Sequence, residues 1–401
     1  MAELEYRWEP DERLAALNDP ATGLTSFTYD ARGRLSAAVH ADGRIEHRAA
    51  DPAGNLYRHP ERRGRHYTSG GALRDAEGTR YTYDADGSLT EKVEPSGARW
   101  SYSWDGAGNL KEVSRPDGQK VSFDYDGLGR RIRKHTAHGV TTWLWSGDVP
   151  LHEIGQDRQL ITWVFEPESF TPLGKIQADR GYTIVSDHLG TPRAMFDEEG
   201  QIAWRAQLDV WGACRTDVMT ASCPWRWPGQ YEDEETGLYY NRFRYYDPRA
   251  GRYISKDPIG LAGGLNAYAY VADPNGSADP LGLARKKVCK DTGPQLEANI
   301  EAQLKAAGIS ILKQNHPVFD AGIKRGEIDF EVPEAIIEAT VSPSGKLDQI
   351  TKYLTNPSLF NPSNKPIILF APNYGGAAGR DIENLGVLVV RDYANLLALV
   401  K

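Results

Sequence analysis

Three short stretches share one pattern and decide the architecture: "FTYDARGRL" (27–35), "YTYDADGSL" (81–89) and "FDYDGLGRR" (123–131). Each has an aromatic residue, one further residue, Tyr-Asp, two residues and glycine; "HRAADPAGNL" (47–56) and "YSWDGAGNL" (102–110) are looser copies. Alternating aromatic or β-branched positions interrupted by turn residues are typical of β-hairpins. Hairpins that each expose one apolar face must stack to bury it, so the repeats predict an extended or curled sheet.

The composition of the chain fits a globular protein with more than one domain. The 401 residues are 40% hydrophobic and 25% charged, which is enough for two or more cores. No run of about 18 apolar residues could span a membrane, and the charged start, "MAELEYRWEPDERL", is not a signal peptide. The sequence begins in mid-pattern, so we expect a piece of a longer chain. Its three cysteines form no disulfide framework and fit synthesis in a reducing compartment.

Charge is distributed unevenly along the chain. The formal net charge is −8, of which −9 falls on residues 1–283 and +1 on residues 284–401. The acidic first part is therefore not expected to bind nucleic acid through general electrostatics, and any such contact in the second part must be local.

The repeats resemble the YD repeats of RHS proteins. Two further stretches, "SDHLGTPRAMFDEEGQIAWRAQLDVWG" (186–212) and the segment 227–283 that begins "WPGQYEDEETGLYYNRFRYYDPRAGRY", resemble the RHS core-associated region. The resemblance implies the last turns of a β-cocoon shell that encloses a toxic C-terminal cargo. We expect a multidomain chain: an all-β YD-repeat sheet (a partial shell) at 1–226, the core-associated region at 227–283 and a toxin domain at 284–401.

Two copies of an Asp-Pro-x-Gly motif lie near the end of the shell, at 257–260 and 279–282. Each could be no more than a β-turn. The resemblance to RHS proteins implies instead an aspartyl-protease-like site, formed by Asp257 and Asp279, that cuts after Leu283. Two carboxyls held close share a proton, so one can activate water while the other protonates the leaving amide. We expect Arg252 to orient this site.

The cargo has its own pattern, which predicts a small α/β domain. Leu296, Ile300, Leu304 and Ala307 lie at helical spacing before Gly308, and Leu347, Ile350 and Leu354 form a second apolar stripe. β-like runs occur at 309–314, 326–332, 334–341, 365–374 and 385–392. The order α, β, β, β, α, β, β describes an α/β sandwich of about 110 residues.

Two carboxylates in this predicted domain are candidates for a metal site. Asp329 and Glu338 lie on predicted neighbouring strands, and converging carboxylates are the hard oxygen ligands that Mg²⁺ (or Mn²⁺) takes. The element order resembles the PD-(D/E)xK, or restriction-endonuclease-like, nucleases, whose motif is Asp, a spacer, then Glu-x-Lys. Here Thr340 stands where that lysine is expected. Some members carry the lysine on the following helix, where Lys346 is available.

That helix carries a second resemblance. Its "QITKY" is similar to a Gln-x-x-x-Tyr motif attached to several of these nucleases, so Gln349 and Tyr353 are expected to position the substrate, and Glu301 or Glu297 could join the site. The alternatives are that Asp329 lies on the wet face of a strand, and that Glu297, Glu301 and Lys305 are i,i+4 surface pairs. His316 could be the base of a metal-independent RNase, although a lone histidine beside proline is more often a loop residue.

Together these expectations describe a polymorphic toxin of interbacterial competition. It would be made in the bacterial cytoplasm and delivered as a secreted effector through an apparatus that acts on a missing N-terminal region. A metal-dependent nuclease, with DNA preferred over RNA as substrate, would be released after Leu283 and blocked by a cognate immunity protein. The alternatives are a cargo that attacks RNA or a non-nucleic-acid target, and a non-catalytic interaction module.

Overall fold

The structure is a computed structural model. It describes residues 4–11, 13–283, 286–287, 300–301, 304–305, 309–320, 323–333, 335–339, 354, 365–370, 387–390, 396 and 398–399. The chain separates into two compact units, Met1–Lys286 and Lys287–Lys401. Among the residues described, no helix is both long enough and apolar enough to cross a membrane.

The first unit begins with a five-stranded antiparallel sheet in which sequence neighbours pair. Its strands are β1 (Glu5–Trp8), β2 (Leu14–Asp19), β3 (Gly23–Tyr29), β4 (Leu35–Val39) and β5 (Ile45–His47), and a small hairpin of β6 (Ala49–Ala50) and β7 (Leu56–Tyr57) follows.

A sixteen-stranded antiparallel sheet, again in sequence order, forms most of the unit. Its strands are β8 (Arg65–Tyr67), β9 (Leu73–Ala76), β10 (Thr79–Tyr83), β11 (Leu89–Val93), β12 (Arg99–Trp104), β13 (Leu110–Ser114), β14 (Lys120–Tyr125), β15 (Arg131–Thr136), β16 (Gly139–Ser146), β17 (Val149–Ile154), β18 (Leu160–Phe165), β19 (Pro172–Gln177), β20 (Arg180–Ser186), β21 (Pro192–Phe196), β22 (Ile202–Leu208) and β23 (Cys214–Met219). The repeats at 81–89, 102–110 and 123–131 therefore lie in one continuous sheet, whereas those at 27–35 and 47–56 lie in the five-stranded sheet and the small hairpin.

Each Tyr-Asp pair of the repeats has two local tasks. The aspartate closes the turn: Asp126 Oδ1 accepts the backbone N–H groups of Leu128 and Arg130, each at 2.9 Å, because an Asp side chain readily bonds the backbone two residues on. The aromatic residue reaches the preceding hairpin. Tyr125 Oη donates to the Leu110 carbonyl at 2.8 Å, and Trp104 Nε1 donates to the Leu89 carbonyl at 2.8 Å. Successive repeats are thereby tied together.

A compact module after the large sheet packs against one of its faces. The module has a four-stranded antiparallel sheet of β24 (Tyr231–Asp233), β25 (Leu238–Asn241), β26 (Arg244–Asp247) and β27 (Arg252–Tyr253), then a 3₁₀ turn at Gly260–Gly263 and the short strands β28 (Ser277–Ala278) and β29 (Lys286–Lys287), which pair. Tyr240, Tyr245 and Ile254 of the module pack against Tyr102 and Phe123 of the large sheet. One face of the large sheet is therefore buried on the module.

The junction between sheet and module contains a buried ion pair. Arg131 and Asp233 have side chains that are 1% and 0% exposed, and their charged ends are in contact. Lys134 Nζ lies 3.3 Å from the other carboxylate oxygen of Asp233, and the Arg131 guanidinium lies 4.3 Å from the ring centre of Tyr240. Because a buried charge is stable only with partners, this cluster fixes the module on the sheet.

The second unit, described by itself, contains a mixed five-stranded sheet in sequence order. β30 (Lys313–Asp320), β31 (Ile323–Glu331) and β32 (Ile336–Ala339) are antiparallel, and β33 (Ile367–Phe370) and β34 (Leu388–Val390) continue in parallel. The first strand was predicted at 309–314 and lies later, because it pairs with β31 over its whole length. His316, expected in a loop, lies in β30 opposite Ile328.

Helical backbone is also present in the second unit. The described residues Ile300, Glu301, Leu304 and Lys305 are helical, and Ile300 and Leu304 are fully buried, which agrees with the predicted apolar stripe. Most of the second predicted helix lies outside the described residues. The small α/β nuclease domain stays a prediction, as do the domain boundaries at 226/227 and 283/284.

Removal of Asp233 tests the junction. The Asp233→Ala variant leaves the buried Arg131 without its carboxylate, while Lys134 keeps Glu235 at 2.8 Å, so we expect it to lower the free energy of unfolding by about 3–5 kcal/mol. Asp124→Ala removes an exposed partner of Arg133, 3.8 Å away, and should cost about 0–1 kcal/mol. All ten tryptophans lie between residues 8 and 227, so urea unfolding followed by tryptophan fluorescence reports on the first unit alone. Equal midpoints for the two variants would contradict this account.

Candidate functional site

The two Asp-Pro-x-Gly motifs each form a turn that the aspartate itself caps. The Gly260 N–H donates to the Asp257 carbonyl at 3.0 Å, and the Ile259 N–H donates to Asp257 Oδ1 at 3.1 Å. At the second motif, the Leu283 N–H donates to Asp279 Oδ1 at 2.9 Å. Both motifs therefore form turns. In each case the second carboxylate oxygen is left for another partner.

That partner is one nitrogen of Arg244, at the start of β26. Arg244 Nη2 lies 2.9 Å from Asp257 Oδ2 and 3.1 Å from Asp279 Oδ2, which places the two oxygens within about 6 Å of each other. All three side chains are nearly inaccessible, at 2–3% exposure. Two carboxyls separated by 22 positions in sequence thus meet at one buried cation.

The remaining donors of Arg244 hold the surrounding backbone. Arg244 Nε donates to the Gly282 carbonyl, and Nη1 donates to the Ala267 carbonyl at 3.1 Å. The guanidinium also stacks 3.7 Å from the ring centre of Tyr253. One side chain therefore positions both carboxyls and the segment that runs into Leu283.

Asp279 has further donors of its own. Tyr253 Oη donates to Asp279 Oδ2 at 2.9 Å. Asn241 Nδ2 lies 2.6 Å from Tyr253 Oη and 2.8 Å from the Asp279 carbonyl. Burial and the neighbouring Asp279 raise the pKa of Tyr253 well above its usual value, so its hydroxyl stays protonated and remains a donor.

The carbonyl of Leu283 lies beside Asp257. A methyl group added to Gly263 would come within 2.1 Å of Asp257 Oδ2 and 2.6 Å of the Leu283 carbonyl oxygen. The two oxygens are therefore neighbours, and they leave no room for a side chain at position 263. The Leu283 N–H is bonded to Asp279, and the Leu283 carbonyl lies near Asp257.

The electrostatics favour one proton shared between the carboxyls. Burial raises the pKa of Asp279, and Asp257 adds to the rise, while Arg244, the Leu283 N–H and Tyr253 oppose it. Burial also raises the pKa of Asp257 against the opposing effect of Arg244. With both carboxyls ionised this buried cluster would carry a net negative charge, and a single proton makes it neutral.

Arg252 lies outside this cluster. Its guanidinium donates to the Gly71 carbonyl and stacks on the rings of Tyr67 and Tyr268, 5.0 and 4.8 Å from their centres. The structure therefore does not bring Arg252 to the carboxyls, and Arg244 occupies the place expected for it. The physical reason is strand pairing, because Asp247 pairs with Arg252 and this register directs the two arginines to different neighbours.

Sequence reasoning missed Arg244, Tyr253, Asn241 and Gly263. The segment "NRFRYYDPRAGRY" (241–253) holds four arginines, and nothing in their spacing distinguishes the one that bridges the carboxyls. The one available signal was the alternation of β26, which places Arg244 and Tyr246 on the same side of the strand.

In the second unit the structure gives backbone positions for the predicted carboxylates. Phe330 pairs with Ile337 across the antiparallel strands β31 and β32. Continuing this register by one residue brings Asp329 opposite Glu338. Lys346, Gln349 and Tyr353 lie outside the described residues, as do Thr340 and Glu297.

The remaining candidate, Glu301, is helical and contacts Lys305 Nζ, which agrees with the surface-pair alternative. Among the side chains described, no group of three or more His, Cys, Asp or Glu could hold a metal ion. The side chains of Asp329 and Glu338 are not among them.

Comparison with known proteins identifies the family to which the fold belongs. The Teneurin YD-shell family matches residues 15–265. Double-stranded DNA deaminase toxin A of Burkholderia cenocepacia is 34% identical over 321 residues, which cover 70% of this chain and 22% of that protein. Toxin protein Tse5 of Pseudomonas aeruginosa is 33% identical over 332 residues, covering 70% of this chain and 25% of its own length.

A third relative carries a different activity in its name. The protein named probable deoxyribonuclease RhsB, of Dickeya dadantii, is 34% identical over 321 residues, covering 69% of this chain and 22% of that protein. This chain thus spans about a quarter of the length of these relatives. The family match covers more than half of the residues, and it includes the repeats and most of the module. The chain therefore belongs to the Teneurin YD-shell family, and the proteins it resembles include RHS-type toxins.

Proposed function

We propose that this chain is the C-terminal part of an RHS polymorphic toxin, in which the end of the shell cuts the chain after Leu283 and frees a nuclease. The observation that carries the self-cleavage is the buried contact of Asp257 and Asp279 with one guanidinium nitrogen, beside the peptide groups of Leu283. A pair of turns has no need to bury two carboxyls, whereas a shared proton requires their proximity.

The hydrogen bonds indicate which carboxyl is the base. Asp279 accepts from Arg244, Tyr253 and the Leu283 N–H, and donors of this kind stabilise the ionised form. Asp257 accepts from Arg244 and the Ile259 N–H and lies beside the Leu283 carbonyl oxygen. Asp279 is therefore the carboxylate, and Asp257 carries the proton.

The reaction then follows with its atoms balanced. Asp279 removes a proton from water as the water oxygen attacks the Leu283 carbonyl carbon, and Asp257 protonates the carbonyl oxygen. As the C–N bond breaks, Asp279 passes the proton it took from water to the Ala284 nitrogen, and one hydroxyl of the tetrahedral intermediate returns its proton to Asp257. The products are a Leu283 carboxyl group and an Ala284 amine. Arg244 contacts both carboxyls and stabilises whichever is ionised, and Gly263 leaves space for the carbonyl beside Asp257.

For the cargo, the names of relatives do not decide between a nuclease and a deaminase. Relatives that match an almost equal share of this chain, about the share made up by the first unit, are named a DNA deaminase toxin and a deoxyribonuclease. The proposal of a nuclease rests on the order of strands β30–β34 and on the opposed positions of Asp329 and Glu338. Both named activities concern DNA, which favours DNA over RNA as the target.

The predicted residues divide the work at that site. Asp329 and Glu338 would hold Mg²⁺ or Mn²⁺, since carboxylates from neighbouring strands are suitable oxygen ligands; the ion when bound polarises a phosphate and lowers the pKa of water. Lys346 would stabilise charge on the phosphate, Gln349 and Tyr353 would position the substrate backbone, and Glu301 could join from the helix. A cognate immunity protein would block the site, and a secretion apparatus would deliver the effector into target cells.

Isosteric changes at Asp257 and Asp279, the carboxyl dyad, test the self-cleavage. Asp257→Asn and Asp279→Asn each remove one of the two proton-transfer groups, so we expect cleavage after Leu283 to slow at least 100-fold, measured by intact mass against time after synthesis. Asp126→Asn is the matched control, because Asp126 caps a turn in the same way without contacting either carboxyl, and it should cleave as the wild type does. Cleavage that persists in both dyad variants would sink the proposal.

The nuclease is tested separately. The wild-type chain should degrade plasmid DNA in Mg²⁺ but not in EDTA, and Glu338→Ala should reduce the rate at least 100-fold because one of the two metal ligands is lost. Glu331→Ala, two strand positions from Asp329, is the control for a general effect of lost negative charge. Intact plasmid with a folded wild-type chain would exclude a DNase and direct the search to RNA, then to other targets.

A further inference from the structure

The two faces of the sixteen-stranded sheet are used differently. One face packs on the module, as described above, and the other is open along the whole sheet. Over β8–β15 this open face is polar, and all of residues 65–136 are described. Leu128, in a turn, is the one large hydrophobic residue of this segment with an exposed side chain. Opposite charges pair across the strands instead, as in Arg99 with Glu91 and Lys120 with Glu112.

The character of the open face changes at β16. Eight large aliphatic side chains on β16–β19 and β22 are each 36–51% exposed: Val140, Leu144, Leu151, Leu160, Val164, Leu173, Ile176 and Ile202. We refer to these eight residues as the apolar face. Scattered exposed leucines are ordinary on a protein surface, but a contiguous group marks a site of interaction.

Strand register places four of the eight residues in two neighbouring rows. One row across the sheet reads Leu144, His152, Thr162, Ile176 and Gly181, each residue paired with the next. A second row reads Val164, Gly174, Thr183, Phe196 and Ile202. Neither row contains an Asp, Glu, Lys or Arg, and the His152 ring is hydrogen-bonded to Thr162 at 2.9 Å.

The surface of the apolar face is also uneven, with a depression and exposed side chains. Gly174 and Gly181 lie on neighbouring strands, and a shallow depression lies over them, bordered by Val164, Leu173 and Ile176 and, at its edges, by Lys175, Asp197 and Glu198. Leu144 and Leu160 of the apolar face are 50% and 51% exposed. Protruding leucines next to a depression are what two interlocking sheets require.

The size of the apolar face matches that of a stable dimer. Eight aliphatic side chains exposed to this extent present roughly 400–600 Å² of apolar surface. A standard interface buries about 800 Å² per partner, of which about 56–65% is apolar, so it needs about 450–520 Å² from each side. We propose that the apolar face packs against the same face of a second copy of this chain, sheet on sheet about a two-fold axis.

The apolar character of the two rows selects this occupant. A charged or strongly polar partner would gain no complementary contact from the two rows, whereas a second copy supplies an apolar face of the same extent, as an isologous interface demands. The inference does not depend on self-cleavage or on the cargo, because all eight residues lie in the sheet and away from Arg244.

Oligomeric state tests the proposal. The full-length wild-type chain, examined by sedimentation velocity across a range of concentrations, should sediment as a dimer. The double variant Leu160→Lys, Ile176→Lys places two charges per copy in the apolar face and should weaken association at least 100-fold, which gives a monomer at micromolar concentration. Both side chains are about half exposed, so the fold should be retained, and tryptophan fluorescence and thermal unfolding check this.

A matched control adds the same charges elsewhere on the open face. Ser101 and Ser103 of β12 are exposed, and the double variant Ser101→Lys, Ser103→Lys should remain dimeric. The single variant Leu144→Lys, on another strand, should also weaken the dimer. A monomeric wild type would overturn the proposal, as would a dimer that the variants in the apolar face leave intact. If the apolar face instead binds a different protein, the wild-type chain would be monomeric.

Discussion

A guanidinium buried away from water has to form all of its hydrogen bonds with protein groups. For Arg244, the two carboxylate partners lie at the two ends of one segment. Its Nη2 contacts Asp257 and Asp279, and its Nε and Nη1 bond the Gly282 and Ala267 carbonyls. Removing Arg244 would leave the buried Asp257 carboxyl without its cation, which costs several kcal/mol. The 21 residues between the aspartates are therefore held as a closed loop, and the segment just after that loop carries the Leu283 peptide.

The same constraint recurs where the large sheet meets the module. Arg131 and Lys134 come from β15, and Asp233 comes from β24 about 100 residues later. The YD hairpins are specified locally by turn aspartates and by aromatic residues that bond the previous hairpin. The position of the module on the sheet is specified by buried charge and by aromatic packing. Local repeats form the large sheet, and long-range buried pairs fix the module that packs against it.

Sequence patterns predicted the local part of this structure well. The Tyr-Asp repeats gave hairpins because their spacing sets both the alternation and the turn, and Asp126 caps its turn as expected. Sequence could not predict that Arg131 is buried, because a charged residue in an alternating strand is normally assigned to the wet side. It could not distinguish Arg244 from Arg252 either. Both stand at the start of a short strand, and only the register of β26 with β27 gives them different neighbours. The proximity of the two aspartates came from a family resemblance, not from spacing.

The central claim is that the buried dyad hydrolyses one peptide bond, and the identity of the bond tests it most directly. The purified full-length chain, unfolded in denaturant and refolded in water enriched in ¹⁸O, should yield two fragments, one that begins at Ala284 and one that ends at Leu283 with a single ¹⁸O in its new carboxyl group. Mass spectrometry of the two termini reads both results. An intact chain, or a break at any other peptide bond, would contradict the account.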